Sequence, residues 1–401
     1  MESAFGVSLL FWFFSLLVLW LWHWRKAERE RSLFAFRLHH ATGESLLTLL
    51  RGVVVGLVLS LFLLAAGVQL PPPFYLSALT LAWLLGALRL SCWHAGKCAL
   101  LLGLLAVFAA PWIPLPWLGE LSLWSLLVFA ALLFAGEYGM LSWKGREEAS
   151  PWIAMGKRGR LIGAYRLQST WVLPVFCPVP GAIAWEWIPW LPVSGMGEGW
   201  SWLLLPLALG HSLTASDEPL EVAVRRQRLK LLRNSLICFA FAAGGYLLPA
   251  WEEALFVAAL AAVALSQVFS RLFWRGREGK PVYVSDRRGM KVLAIVPGSP
   301  AEQAGVKIGE VVARVNGEAV REAQGYYEAL QRNAAFCKLE VLDAAGEVRF
   351  LQIPLYANQP YQLGILAVPD HSSRIFAPLK AEGWLQMILP FRRKWADSDV
   401  I

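Results

Sequence analysis

The sequence predicts a polytopic α-helical membrane protein of seven to nine spans that carries one small soluble domain at its C-terminal end. Three observations predict it. Of the 401 residues, 57% are hydrophobic and only 16% charged, whereas soluble domains average about 25% charged residues. The apolar residues gather in long runs before residue 275, while 275–401 has ordinary soluble composition. Lys and Arg recur only on alternate connections between those runs. Together these exclude a wholly soluble enzyme, a secreted disulfide scaffold and a disordered chain.

The apolar runs fall at Phe5–Trp24, Leu46–Val68, Phe74–Leu90, Cys98–Ile113, Leu121–Ala135, Trp171–Trp190, Trp200–His211, Ser235–Ala250 and Ala254–Phe273. A helical span needs about 20 residues. Trp200–His211 is short, and Trp171–Trp190 contains four prolines and Glu186. These two runs therefore read either as spans or as a re-entrant hairpin. Removing both leaves the parity of the topology unchanged.

Basic residues orient the runs. Arg25 to Arg37 follow the first run, Arg89 and Lys97 the third, and Lys144 to Arg166 the fifth. Arg225 to Arg233 follow the seventh and Arg271 to Arg288 the ninth. The intervening connections, such as Gln69–Pro73 and Leu191–Gly199, contain none. Cytoplasmic loops collect Lys and Arg, so the N-terminus is expected outside and everything after Phe273 in the cytoplasm. No basic residue precedes the first run, which reads as an uncleaved anchor rather than a signal peptide. The net charge of +8 is then topological, with a secondary attraction to anionic lipid headgroups. Nucleic-acid binding is not expected.

Chemistry is not expected either. The six histidines never form His-Glu-x-x-His, the helical zinc-binding pattern of a membrane metalloprotease. Ser194-Gly195 lacks the preceding glycine of a rhomboid-type serine site. The five cysteines show no Cys-x-x-Cys pair or metal spacing and read as small apolar residues. No cofactor or metal is implied.

From Gly289 onward the pattern becomes that of a small mixed domain. A β-rich run, Met290–Val296, ends in a Pro/Gly turn, and a short helix at Ala301–Ala304 stops at Gly305. Strand Val311–Val315 turns at Asn316-Gly317, a strong hairpin signal. A helix near Ala323–Asn333 and a hairpin, Lys338–Asp343 with Glu347–Ile353, complete it. Ser299-Pro300-Ala301, Ala304-Gly305, Gly309-Glu310 and Val315-Asn316-Gly317 resemble the bacterial form of the PDZ family. That resemblance implies a small β-barrel-like sheet with two helices, which binds peptides by adding a strand beside a helix.

The family's carboxylate-binding loop does not precede Gly289. A similar string, Leu363-Gly364-Ile365, lies downstream, as a circular permutation would place it. By resemblance, Leu363, Gly364 and Ile365 present backbone N–H groups to a partner, and Tyr327 and Leu330 line the side-chain pocket. An empty groove with Gly364 as an ordinary turn is the competing reading. The chain is thus divided into a membrane domain (1–274), a cytoplasmic PDZ domain (275–368) and an amphipathic, basic tail (369–401). Trp384–Lys394 in the tail suits either the inner leaflet or the face of the PDZ domain.

The whole layout resembles the MinJ family of division-site membrane proteins of Gram-positive rods. The shared features are the N-terminal span followed by Arg25–Arg31, the multi-span body, the loop Gly156–Ala164 and the single C-terminal PDZ domain. The resemblance implies a non-enzymatic adaptor at septum and cell poles that links a DivIVA-like scaffold to a MinD-like ATPase with its MinC partner, among other division-site membrane proteins. The alternative class is a PDZ-containing intramembrane protease or protease regulator.

Overall fold

The computed structural model describes residues 2–34, 38, 41–68, 70–87, 95–109, 112, 116–119, 121–145, 147–156, 159–180, 200–275, 280–332, 336–343, 345–354, 363–370, 375–376 and 394–395. Most of the tail, Glu186 and Ser194-Gly195 lie outside the described residues.

Seven long helices occur among the described residues: α1 (Glu2–Phe34), α2 (Ala41–Ala65), α3 (Pro72–Ala87), α4 (Ala95–Ala109), α6 (Leu123–Lys144), α7 (Leu220–Leu247) and α8 (Glu252–Arg275); α5 (Pro116–Gly119) is a single turn. Their interiors are rich in Leu, Ala and Val and free of proline, which favours helix over any competing local structure. Three stretches, Thr42–Ala65, Leu123–Trp143 and Pro249–Ser270, are long and apolar enough to cross a membrane. Pro72–Leu85 and Gly96–Phe108 are apolar but shorter. At the head of α6, the Trp124 N–H donates to Glu252 of α8 at 2.7 Å, so a carboxylate satisfies a helix-start donor and ties two helix ends together.

The described part of the sixth apolar run, up to Pro180, and the seventh run are strands, which corrects the expectation of up to nine helical spans. A short β1 (Ala149–Met155) pairs with the start of β2 (Leu161–Pro180), and β2 pairs with β3 (Trp200–Ala215) along a long antiparallel hairpin. Leu167, Trp171, Leu173, Val175, Cys177 and Val179 of β2 are fully buried against the helices in one core cluster. Both faces of the strand are buried, with the odd-numbered side chains facing the helical core cluster, which suits an apolar run that is buried on both sides. The prolines that would break a helix are tolerated at a strand edge.

Beyond β1 the hairpin is two-stranded, and unsatisfied backbone groups on its outer edges would cost several kcal/mol where they are buried. Along β2 the outward edge faces α2. A Cβ on Gly52 would meet Val172 O at 2.4 Å, and one on Gly56 would meet Pro174 O at 2.2 Å. The helix therefore lies directly on the strand backbone. One turn further, the Phe176 N–H donates to Ser60 Oγ at 2.9 Å. Backbone direction alternates along a strand, so Pro174, Pro178 and Pro180 share the outward orientation of Phe176 and have no N–H to leave unpaired. On the far edge, Trp12 Nε1 of α1 donates to Leu204 O of β3 at 3.3 Å.

This packing makes a prediction. Gly56→Leu forces α2 off β2 and is expected to cost about 3 kcal/mol, lowering the thermal midpoint of detergent-purified protein by about 5 °C or more. Ser60→Ala removes the Phe176 acceptor together with the hydroxyl's own bond to Gly56 O at 2.7 Å, and costs about 1–3 kcal/mol. A Gly56→Leu protein that melts like wild type would refute the backbone contact.

The C-terminal domain is a sheet in the order β8-β7-β5-β4-β9, with β6 added beside β5. In chain order the elements are β4 (Met290–Ile295), α9 (Pro300–Gln303), β5 (Val311–Val315), β6 (Glu318–Ala319), α10 (Ala323–Gln331), β7 (Phe336–Leu342), β8 (Val348–Pro354) and β9 (Ile365–Ala367). The expected turn sits at Asn316 (φ 52) and Gly317 (φ 87), the two positive φ values of a type I′ two-residue connection. A small pair, β10 (Ile375–Phe376) with β11 (Lys394–Trp395), follows.

This domain is docked on the base of the long hairpin. The Gly163 N–H donates to Tyr283 O at 2.8 Å, and the Val282 N–H to Ser216 O at 2.9 Å. Strand β4 bulges between Val292 and Ala294 in its pairing with β9, which re-aims Leu293. Its carbonyl accepts the Tyr165 hydroxyl, and its side chain, with Tyr283 and Val368, is buried in the core cluster of the helical body. Tyr165 and Tyr283 pack edge-to-face, with centroids 5.2 Å apart.

Candidate peptide groove

Strand β9 ends the sheet, and among the described residues no strand pairs with its outer side. The loop leading into it is held by the turn after β4. The Val296 N–H donates to Gly364 O at 2.8 Å and the Ala301 N–H to Leu363 O at 3.0 Å. The Val368 N–H donates inward to Lys291 O at 2.9 Å. By alternation, the N–H and C=O groups of Ile365 and Ala367 point away from β4, toward the open edge. An extended peptide laid there meets unpaired donors and acceptors, the arrangement that strand addition requires.

Gly364 is at φ 82, in the left-handed region. A Cβ at that position would lie 2.3 Å from Ser299 Cβ. Ser299 is itself fixed as the N-cap of α9, accepting the Glu302 N–H at 3.4 Å, while Glu302 reaches back to the Gly298 N–H at 2.6 Å. Ser299-x-x-Glu302 is thus a capping arrangement legible in the sequence, although its contact with the loop at Gly364 is not.

The helix opposite is α10. Leu363, Ile365 and Leu330 all belong to one buried cluster of the domain, with Leu330 4% exposed. Tyr327, 39% exposed, sits at the rim and packs edge-to-face on buried Tyr326 at 5.3 Å. The structure thus gathers Leu363, Ile365 and Leu330 into one cluster and places Gly364 in the loop before β9, while Tyr327 lies on the exposed side of α10. Burial raises the phenol of Tyr327 above its ordinary value, so at neutral pH it is an uncharged hydrogen-bonding group. Burial likewise pushes the Cys337 thiol up to about 12, which keeps it protonated and unreactive.

Three supports were not read from the sequence. Asn316 donates through Nδ2 to Ala329 O at 3.1 Å and accepts the Lys338 N–H at 2.9 Å, tying α10 to the turn and to β7. Asp370, just past β9, accepts the Ala323 N–H at 3.0 Å and so closes strand and helix together at one end. Glu310, 5% exposed, accepts the Lys307 N–H at 2.9 Å and pairs with Arg349 at 3.4 Å, bracing the loop before β5. Long-range partners of this kind leave no local signature.

A small sheet packed with two helices, its edge strand β9 left open, forms a C-terminal domain joined to an apolar helical body. The family model for the PDZ domain matches residues 291–342. Over most of its length the chain is similar to the cell division topological determinant MinJ of Bacillus subtilis, 30% identical over 371 residues that cover 90% of this chain and 92% of that protein. It is also similar to the probable cell division topological determinant MinJ of Lacticaseibacillus paracasei, 26% identical across 92% of this chain and 97% of the relative. Among solved structures, the PDZ domain of an SdrC-like protein from Listeria innocua covers 21% of this chain at 19% identity, with a TM-score of 0.19. The chain belongs to the MinJ family.

Proposed function

We propose that the chain is a non-enzymatic membrane adaptor of division-site selection, linking a DivIVA-like scaffold at poles and septum to a MinD-like ATPase and its MinC partner. The observation that carries this reading is the similarity along nearly the whole chain to a protein named as a cell division topological determinant. In this reading the protein is a multi-pass component of the cell membrane, with its N-terminus outside and the PDZ domain in the cytoplasm. The alternation of basic and uncharged connections supports that orientation, and a hairpin crossing twice preserves it. The domain is a circularly permuted PDZ module spanning about 275–368, and the order β8-β7-β5-β4-β9 supports the permutation.

A partner peptide adds to β9 along the outward edge of Ile365 and Ala367, with the N–H groups of Leu363, Gly364 and Ile365 offered to its carboxylate end and a side chain between Tyr327 and Leu330. Confinement to the membrane raises the effective concentration of such a weak contact. The test is imaging of a fluorescent fusion in dividing cells, comparing the full chain, a truncation after Arg275 and Tyr327→Ala. Bands at septa and poles for the full chain are expected. Tyr327→Ala is expected to keep those bands while weakening recruitment of the MinD-like partner by about fivefold, the size of a groove aromatic's contribution. Uniform membrane signal for the full chain would overturn the division reading.

A further inference from the structure

Along α7, Val222, Arg225, Arg226, Leu229, Lys230 and Arg233 recur at intervals of three and four and form one stripe. With Ser270 of α8 they line a cleft of about 370 Å³. Four of its lining residues are cations and none is a carboxylate. Arg233 is fixed across the gap: its Nη2 donates to Ser266 O and to Ser270 Oγ of α8, each at 3.0 Å. Arg226 is paired with Glu218 at 2.5 Å, while Arg225 and Arg233 add positive charge around the same concavity.

The same face of α7 changes character one turn past Arg233. Leu236 is exposed, and Ile237 lies beside it, partly buried. Exposed apolar side chains on a helix whose second half is apolar face lipid, whereas the basic half lies at headgroup depth. A merely solvated basic belt would fan its side chains into water. Here they converge on a cleft of ligand size, one of them held in place by the neighbouring helix.

We propose that this cleft binds the phosphate of an anionic phospholipid headgroup from the cytoplasmic leaflet, with the acyl chains running along Leu236 and Ile237. Guanidinium groups suit phosphate by geometry as well as charge. The inference rests on the membrane reading above.

The test uses full-length protein in detergent micelles, with thermal midpoints measured after adding phosphatidylglycerol, phosphatidylcholine or inorganic phosphate. Phosphatidylglycerol is expected to raise the midpoint by about 5 °C and phosphatidylcholine to leave it unchanged. Arg225→Gln/Lys230→Gln is expected to lose at least half of that rise. The charge-matched control Lys307→Gln/Arg321→Gln, on the C-terminal domain, is expected to keep it. An equal rise in wild type and the α7 double variant overturns the site, as does no rise with any lipid. The same rise with phosphate alone overturns the lipid as its occupant. Alkaline carbonate extraction of cell membranes separates the two readings: protein that stays in the membrane without a lipid-dependent shift rejects the cleft alone, and protein that washes off rejects both.

Discussion

Gly364→Ala is expected to be the most damaging single-methyl change in the C-terminal domain. Two independent costs add at this position. The left-handed backbone, φ 82, costs an L-residue about 1–2 kcal/mol, and the new Cβ would stand 2.3 Å from Ser299 Cβ and 2.5 Å from Ser299 Oγ. Relief of that overlap requires movement of Ser299, which caps α9, or of the loop whose carbonyls hold Val296 and Ala301. A total near 3–4 kcal/mol follows. The costs separate in a double variant, because Gly at an N-cap position is only a few tenths of a kcal/mol worse than Ser. Ser299→Gly/Gly364→Ala is therefore expected to recover the steric part and retain the backbone part. The measurement is hydrogen exchange of the 290–304 and 363–368 segments in the full chain. Wild-type protection in Gly364→Ala would mean that the loop does not occupy this conformation.

The second large effect is expected at the junction of the domain with the body. Gly163 has room for no side chain: a Cβ would meet Leu293 Cδ1 at 2.7 Å and Tyr283 Cβ at 3.0 Å. Gly163→Leu is expected to lift the domain off the hairpin, breaking the Gly163–Tyr283 backbone bond and the Tyr165–Leu293 contact. Tyr283, Leu293 and Val368 then lose their seat in the core of the body, while the domain's own cluster around Val292, Val312 and Leu339 remains. Exchange at 161–168 and 280–295 is expected to rise more than tenfold, with β7 and β8 unaffected. Tyr165→Phe removes one hydrogen bond of about 1 kcal/mol and is expected to raise exchange about fivefold. If exchange in Gly163→Leu matches wild type, the docking described above is wrong.

The features legible in the sequence are those with local causes. The Asn316-Gly317 turn, the strand Val311–Val315 and the short helix stopping at Gly305 follow from backbone preferences of single residues, and the structure has them. Leu363-Gly364-Ile365 was recognisable only by resemblance to the family's loop; the left-handed φ of its glycine is seen in the structure. The long hairpin was not legible. Its runs are as apolar as a helical span, and hydropathy averages over side chains without seeing which edge of the backbone is covered. The prolines at 174, 178 and 180 made a full span doubtful, but only the outward alignment with Phe176 and α2 gives them a reason.

By itself the sequence determined that the chain has an apolar body and a separate C-terminal domain, how the basic residues alternate, and which short strings make the domain's turns and loops. These depend on composition and on conformational preferences that act within a few residues. Tertiary structure alone decided that two apolar runs are strands, that Gly52, Gly56 and Ser60 shield their edge, that a bulge turns Leu293 onto the body, and that Ser299 and Asp370 close the groove around Gly364 and α10. Each of these depends on which distant backbone satisfies an otherwise unpaired polar group or fills the space beside a missing Cβ, and such partners, dozens to more than a hundred residues apart in the chain, are chosen only when the whole chain packs.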